Sequence, residues 1–348
     1  MPPSGGDAVT HMPSASRRAV TLARSILGNR AVPLVIGLAL VAALVLISHP
    51  AEIWRTIRQT SPAAVVAAVA MNVPIVLLRL ARAAVVLRHA GHRVPFRSLL
   101  EVQLVGQTSS SVTPASSGDY LRAYLWRRTA GVPLRAGAAV VMFERLFSFG
   151  LMIAAAIALV VFLRYGPAGW VAIAVVMAAA TVAPFVLERA APRLERWALA
   201  RVTSGRQLSR YAEGALGMAD NLRDMIGSLP LLVRASALTV VIFALSGLQV
   251  WLLMAGLGIR VGVAQATAVY TTSQVGGTIS TVPFGIGSMD AVMVTVLASY
   301  GVTVAASATV AVLMRGTSTL PQAVAGLVAY WDLNRSAEKA PAEEVVAS

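Results

Sequence analysis

The sequence predicts an all-α, polytopic membrane helix bundle with two inverted repeats, each carrying a re-entrant hairpin broken by proline and glycine. Three observations point there: pervasive hydropathy, basic residues gathered beside the apolar runs, and one unusual motif that occurs twice. Of 348 residues, 57% are hydrophobic and only 13% charged, with a mean hydropathy of +0.73. That leaves too little polar surface to cover a soluble globule of this size, so the chain belongs in a bilayer. Six runs are long enough, or nearly so, to cross it as helices: 31–48, 62–87, 136–163, 168–187, 231–256 and 305–330.

The duplicated motif is Ser-x-x-Pro-x-x-x-Gly in an apolar stretch, followed by a spacer, a Gly-Val pair and a hydrophobic helix with one arginine. Ser111, Pro114, Gly118, Gly131, Val132 and Arg145 make the first copy, and Ser280, Pro283, Gly287, Gly301, Val302 and Arg315 the second. The offset is 169 positions through Ser, Pro and Gly, and 170 from Gly131 onward. Paired, Pro/Gly-interrupted hydrophobic segments in two halves of a membrane protein are the best sequence pointer to a transporter's binding site.

Each element follows in order from where the basic residues fall, since Lys and Arg mark cytoplasmic loops. Residues 1–30 form a cytoplasmic arm with Arg17, Arg18, Arg24 and Arg30, and the run after it lacks a small-x-small cleavage pattern at Ser48-His49-Pro50. The second run returns to a basic loop carrying Arg88, Arg93 and Arg97. Residues 98–117 enter an apolar environment, yet Arg122, Arg127, Arg128 and Arg135 follow at once, so a hairpin dips in from the cytoplasm and leaves the same way. The third run exits, and the fourth comes back after a turn at Gly166 and Pro167. The polar stretch 188–230, rich in arginine, reads as an amphipathic cytoplasmic insert. The fifth run exits, 263–300 forms a second hairpin with almost no charge, and 305–330 returns to an interfacial anchor at Tyr330 and Trp331. Residues 332–348 read as a disordered cytoplasmic tail. A membrane domain thus covers 31–331, with repeats at about 98–163 and 263–330 whose hairpins open to opposite faces, an arrangement suited to alternating access.

Non-helical backbone at membrane depth is tolerated only against protein or a water-filled cavity, so Pro114, Ser116, Ser117 and Gly118, with Pro283, Gly285, Gly287 and Ser288, are expected to line one. Arg145 and Arg315 lie well inside their helices. A guanidinium near the bilayer centre costs roughly 2.5–3.5 kcal/mol on insertion scales, so each needs a partner. A lipid phosphate suits the planar fork, and for Arg145 a structural ion pair with Glu144 is the competing reading. Arg122 is a third anion-binding candidate, whereas Arg127 and Arg128 read as contacts to anionic head groups at the surface. Of the acids Glu101, Asp119, Glu144 and Asp290, each serves as proton carrier or counter-ion, and Asp119 and Asp290 fit equally as caps of half-helices that start after Gly118 and Gly287. His89 and His92 lack a carboxylate third ligand and cysteine is absent, so neither metal nor thiol chemistry is expected. No Walker loop, dinucleotide fingerprint or nucleophile elbow occurs in context, so no cofactor is expected. The formal charge of +14 sits beside apolar runs with no aromatic-and-basic platform, which argues against nucleic acid.

With those residues in view, the chain resembles the lysylphosphatidylglycerol synthase transmembrane region family over roughly 34–331. The resemblance rests on Pro114, Gly118, Asp119 and Arg122, on the Glu144-Arg145 pair, on Pro283, Gly285, Gly287 and Asp290, and on the late Arg315. Two departures stand out: Phe284 and Asp290 replace the family's usual Gly and Glu, and Ala115-Ser116 replaces its Gly-Arg. The resemblance implies binding an anionic lipid in the cell membrane and moving it across, without the aminoacyl transfer of the two-domain relatives. The alternative is a non-transporting accessory protein that binds a lipid carrier and presents it to an enzyme of cell-envelope lipid or glycan biosynthesis.

Overall fold

The structure, a computed structural model, describes residues 55, 57–113, 118–166, 169–190, 209–279 and 287–338. Regular structure among them is all helical: α1 (Pro62–Ala70), α2 (Asn72–His89), α3 (Phe96–Val112), α4 (Leu121–Ala130), α5 (Leu134–Tyr165), α6 (Gly169–Ala190), α7 (Ser209–Ile226), α8 (Leu229–Gly256), α9 (Val263–Ile279), α10 (Ser288–Ser299), α11 (Val304–Met314) and α12 (Leu320–Glu338). A π-helical turn at Arg315–Thr319 joins α11 to α12. Among the described residues three stretches are long and apolar enough to cross a membrane: Pro62–His89, Leu134–Tyr165 and Leu229–Gly256. Proline at the first positions of α1 and α8 suits a helix start, where an N–H has no intrahelical partner. The expected fourth run is α6, with a shorter apolar core at Val171–Val186, and the expected sixth is α11, the π turn and α12 in succession. The expected first run, 31–48, lies outside the described residues.

The duplication reaches further back than the Ser-Pro-Gly motif. α2 ends at Gly91 (φ 83) and α8 at Gly258 (φ 74), and one residue later the N–H of His92 meets Leu87 O and that of Ile259 meets Met254 O, both at 2.9 Å. Such a left-handed helix stop is cheap only for glycine. These stops lie 167 positions apart, and so do α3 and α9, each of 17 residues. Gly131 (φ 67) and Gly301 (φ 80) then end α4 and α10. Each half therefore runs span, broken hairpin, long helix: 62–165 and 229–338, with α6 and α7 inserted between. Helix register pairs Ser111 with Thr278 rather than with Ser280, because the second break is two residues longer.

Packing is reciprocal. The first hairpin arm, α3, lies along α12 of the other half, and its counterpart α9 lies along α5. α1 and α2 pack on their own counterpart, α8, and run antiparallel to it. The N–H of Ser61 meets Gly256 O (3.0 Å), Gln249 Nε2 donates to Ala68 O (2.7 Å) and Arg82 Nη1 to Thr239 Oγ1 (3.1 Å).

Within the 188–230 stretch, α7 packs Met218, Leu222, Met225 and Ile226 on the core, as an amphipathic helix does, and Arg223 pairs with Glu188 (3.2 Å). α12 runs on past 332 to Glu338, with Arg335 stacked on Trp331 (3.6 Å) and Asp332 bonded to Arg97 (2.7 Å).

Candidate functional site

A cavity of about 180 Å³ lies between the halves, and its walls come in equivalent pairs. Gln107 and Gln274, Ser110 and Gly277, Ser111 and Thr278, and Arg79 and Ser246 all line it, each pair 167 positions apart. Residues of α3 and α9 at the same register thus line one space. The remaining wall includes Gln249 and Tyr270, then Asp290, and then Arg315, Ser318, Thr319 and Gln322 from the π turn and α12.

The π turn has an identifiable cause. Pro321 has no N–H to offer the carbonyl four residues back, that of Thr317, and this carbonyl instead accepts from Asn72 Nδ2 at 2.6 Å. Asn72 sits at the break between α1 and α2, and its Oδ1 accepts from Gln322 Nε2 at 2.9 Å. Turns of this kind recur at functional sites. Here it leaves Arg315, Ser318 and Thr319 on the cavity wall.

Arg315 and Asp290 form the charged centre of the wall. Arg315 Nε lies 2.9 Å from Oδ1, and its Nη2 lies 2.6 Å from Oδ2, a bidentate pair of the strong kind. Asp290 Oδ2 also accepts the N–H of Gly287 (3.0 Å), where φ is 86. Capping and charge pairing, posed as alternatives by the sequence, coexist in this one carboxylate. Arg79 supplies the second guanidinium, donating from Nη1 to Gln107 Oε1 at 2.7 Å.

The other sequence candidates form a separate cluster in the first half. Glu144, buried at 3% exposure, meets Arg122 Nη2 (2.8 Å) through Oε2 and Arg82 Nε (3.2 Å) through Oε1. Arg82 also donates to Ser148 Oγ at 2.7 Å. Arg122 is itself buried, its guanidinium 4.7 Å from the Trp126 ring and its stem packed on Gly106. Arg145 pairs with Asp119 (3.6 Å) and not with its chain neighbour Glu144, since adjacent helical residues point apart. Gly118 packs against the backbone of Ser109 and donates its N–H to Thr113 Oγ1 at 2.6 Å. Arg122, Arg145, Glu144 and Asp119 do not line the cavity that Arg315 and Asp290 line. Pro114, Ser116, Ser117, Pro283 and Gly285 lie outside the described residues.

Sequence reasoning missed Arg79, Arg82, Asn72, Gln249 and the Gln107/Gln274 pair. Two arginines three positions apart within an apolar run were a legible signal, since intramembrane charge is costly and usually functional.

Residues 34–326 match the family described as lysylphosphatidylglycerol synthase TM region. A UPF0104 membrane protein of Methanothermobacter thermautotrophicus is 25% identical over 303 residues, which cover 82% of this chain and 90% of that one. The Haloferax volcanii protein named Glycosyltransferase AglD is 32% identical over 123 residues, 34% of this chain but 20% of its own length. The chain belongs to the lysylphosphatidylglycerol synthase transmembrane region family and is an integral membrane protein.

Proposed function

We propose that this member of the family is a flippase-like transporter that binds an anionic lipid head group in the cavity between its halves and exposes it alternately to the two membrane faces. The observation that carries the reading is a polar cavity walled by residues at matching positions of both halves and lined by two arginines and one aspartate. In this reading the two halves are inverted repeats across the membrane, which follows if α2 and α8, antiparallel counterparts, both span it. The hairpins are then re-entrant and the cavity sits near the midplane. Arg315 and Arg79 attract the phosphate, Asp290 holds Arg315 in place while the site is empty, and the acyl chains stay in the lipid.

The test is translocation of head-group-labelled lipids in proteoliposomes, read with an impermeant quencher. Wild-type protein is expected to flip an anionic lipid, and Arg315→Gln to fall to the protein-free rate while keeping its unfolding midpoint within a few degrees. Undiminished flipping by Arg315→Gln would remove the cavity from the mechanism.

The partial match to a protein named a glycosyltransferase favours a second reading, in which the membrane domain binds a lipid carrier and presents it to an enzyme of envelope lipid or glycan biosynthesis. That reading gives saturable head-group binding by well-folded wild-type protein with no flipping.

A further inference from the structure

Resting on the lipid-site reading above, we infer that the head group taken by the cavity is a neutral, hydroxyl-rich polyol or sugar carried on a single phosphodiester, and not a cationic aminoacyl group. Charge is the first reason. The ionisable side chains on the described wall, tyrosine apart, are Arg79, Arg315 and Asp290, which leaves one net positive charge. Neither break adds to it, because 114–117 (Pro-Ala-Ser-Ser) and 280–286 (Ser-Thr-Val-Pro-Phe-Gly-Ile) contain no ionisable residue. One phosphodiester carries one negative charge and balances that wall. A lysyl ester on the same phosphate brings two ammonium groups, and the head becomes a net cation facing a net cation.

Hydrogen-bonding capacity is the second reason. The neutral polar wall is built of amides and hydroxyls, among them Gln107, Gln274, Ser111, Thr278, Ser318 and Tyr270. Each of these groups both donates and accepts. Ser111 and Thr278 already donate to the backbone carbonyls of Gln107 and Gln274 and are left to accept. Gln107 Oε1 already accepts from Arg79 and Tyr270 Oη from Gln274 Nε2, which leaves the Gln107 amide hydrogens and the Tyr270 hydroxyl to donate. A polyol, which does both, suits this mixed wall better than an ammonium, which only donates. The carboxylate on the described wall, Asp290, already receives Arg315 through both oxygens and the N–H of Gly287 through one. A bare phosphate monoester would leave the two glutamine-bearing walls facing only water. Gln107 and Gln274, at matching positions, place the same amide chemistry on both halves, so both walls can hold the ring as the halves rock.

The experiment compares purified, detergent-solubilised wild-type protein with phosphatidylinositol, phosphatidic acid and lysyl-phosphatidylglycerol of identical acyl chains, with phosphatidylcholine as reference, by native mass spectrometry. Phosphatidylinositol is expected to bind about tenfold tighter than phosphatidic acid, and lysyl-phosphatidylglycerol no better than the reference. The variant Gln274→Leu, which leaves Arg79 bonded to Gln107, is expected to bring phosphatidylinositol most of the way down to phosphatidic acid. Should that variant fold poorly, Ser111→Ala with Thr278→Val reads the same preference. Binding of lysyl-phosphatidylglycerol on a par with phosphatidylinositol, or no gap between phosphatidylinositol and phosphatidic acid, overturns the head-group assignment alone. Failure of every anionic lipid to exceed the reference overturns the lipid-site reading as well.

Discussion

The two halves share an acid–arginine pair but surround it differently. In the first half, Asp119 and Arg145 stand beside a buried triad in which Glu144 is held by Arg82 and Arg122. In the second half, Asp290 and Arg315 stand beside the counterparts of that triad, Gln249 for Arg82, Met314 for Glu144 and Ala291 for Arg122. Gln249 and Met314 line the cavity. The long helix of the first half is regular through Arg145, whereas that of the second opens into a π turn at Arg315. One half thus carries a buried charge cluster that the other lacks, and the pair of the other half lies on the cavity wall. Charges within the apolar helices of one chain therefore need not act together: one set is packed among helices and the other lines a cavity.

Breaking the buried cluster gives the largest expected effect. Glu144→Ala takes the carboxylate from buried Arg122 and half-buried Arg82 and is expected to cost about 3–5 kcal/mol, seen as a large fall in the thermal unfolding midpoint in detergent. Arg122→Met leaves Arg82 and Glu144 as a one-to-one pair and is expected to cost distinctly less. Equal losses from the two substitutions would contradict the view that two arginines share one carboxylate. The second half is expected to be milder. Asn72→Ala takes the amide away from Thr317 O and is expected to cost about 1–3 kcal/mol, the penalty of one unsatisfied buried carbonyl. If its midpoint matches wild type, the π turn does not depend on Asn72.

Much of this was legible in the sequence, for physical reasons that differ by residue. Gly131, Gly301, Asp290 and Arg315 stood out because glycine stops and intramembrane charges are expensive anywhere else. Arg79 and Arg82 were hidden by the averaging that makes 62–87 read as one apolar run. Gln107 and Gln274 were hidden by register. An offset of 169, correct for the Pro-Gly breaks, sets Gln107 against Gly276, while the helices before the breaks follow 167. The pairing of Glu144 with Arg122 and Arg82 could not be read at all, because it depends on which helix faces lie together once α2, α4 and α5 pack.

In the proposed mechanism the halves are oppositely directed in the membrane around one shared cavity. The absence of cysteine from the chain allows it to be tested in an otherwise native background. Thr129 and Ser299 occupy equivalent positions, two residues before Gly131 and Gly301, at the ends of α4 and α10. Thr129→Cys and Ser299→Cys, labelled separately in sealed right-side-out and inside-out vesicles with an impermeant maleimide, are expected to react from opposite faces, Thr129→Cys from the cytoplasmic one. Labelling of both from the same face would contradict the inversion and, with it, alternating access through this cavity.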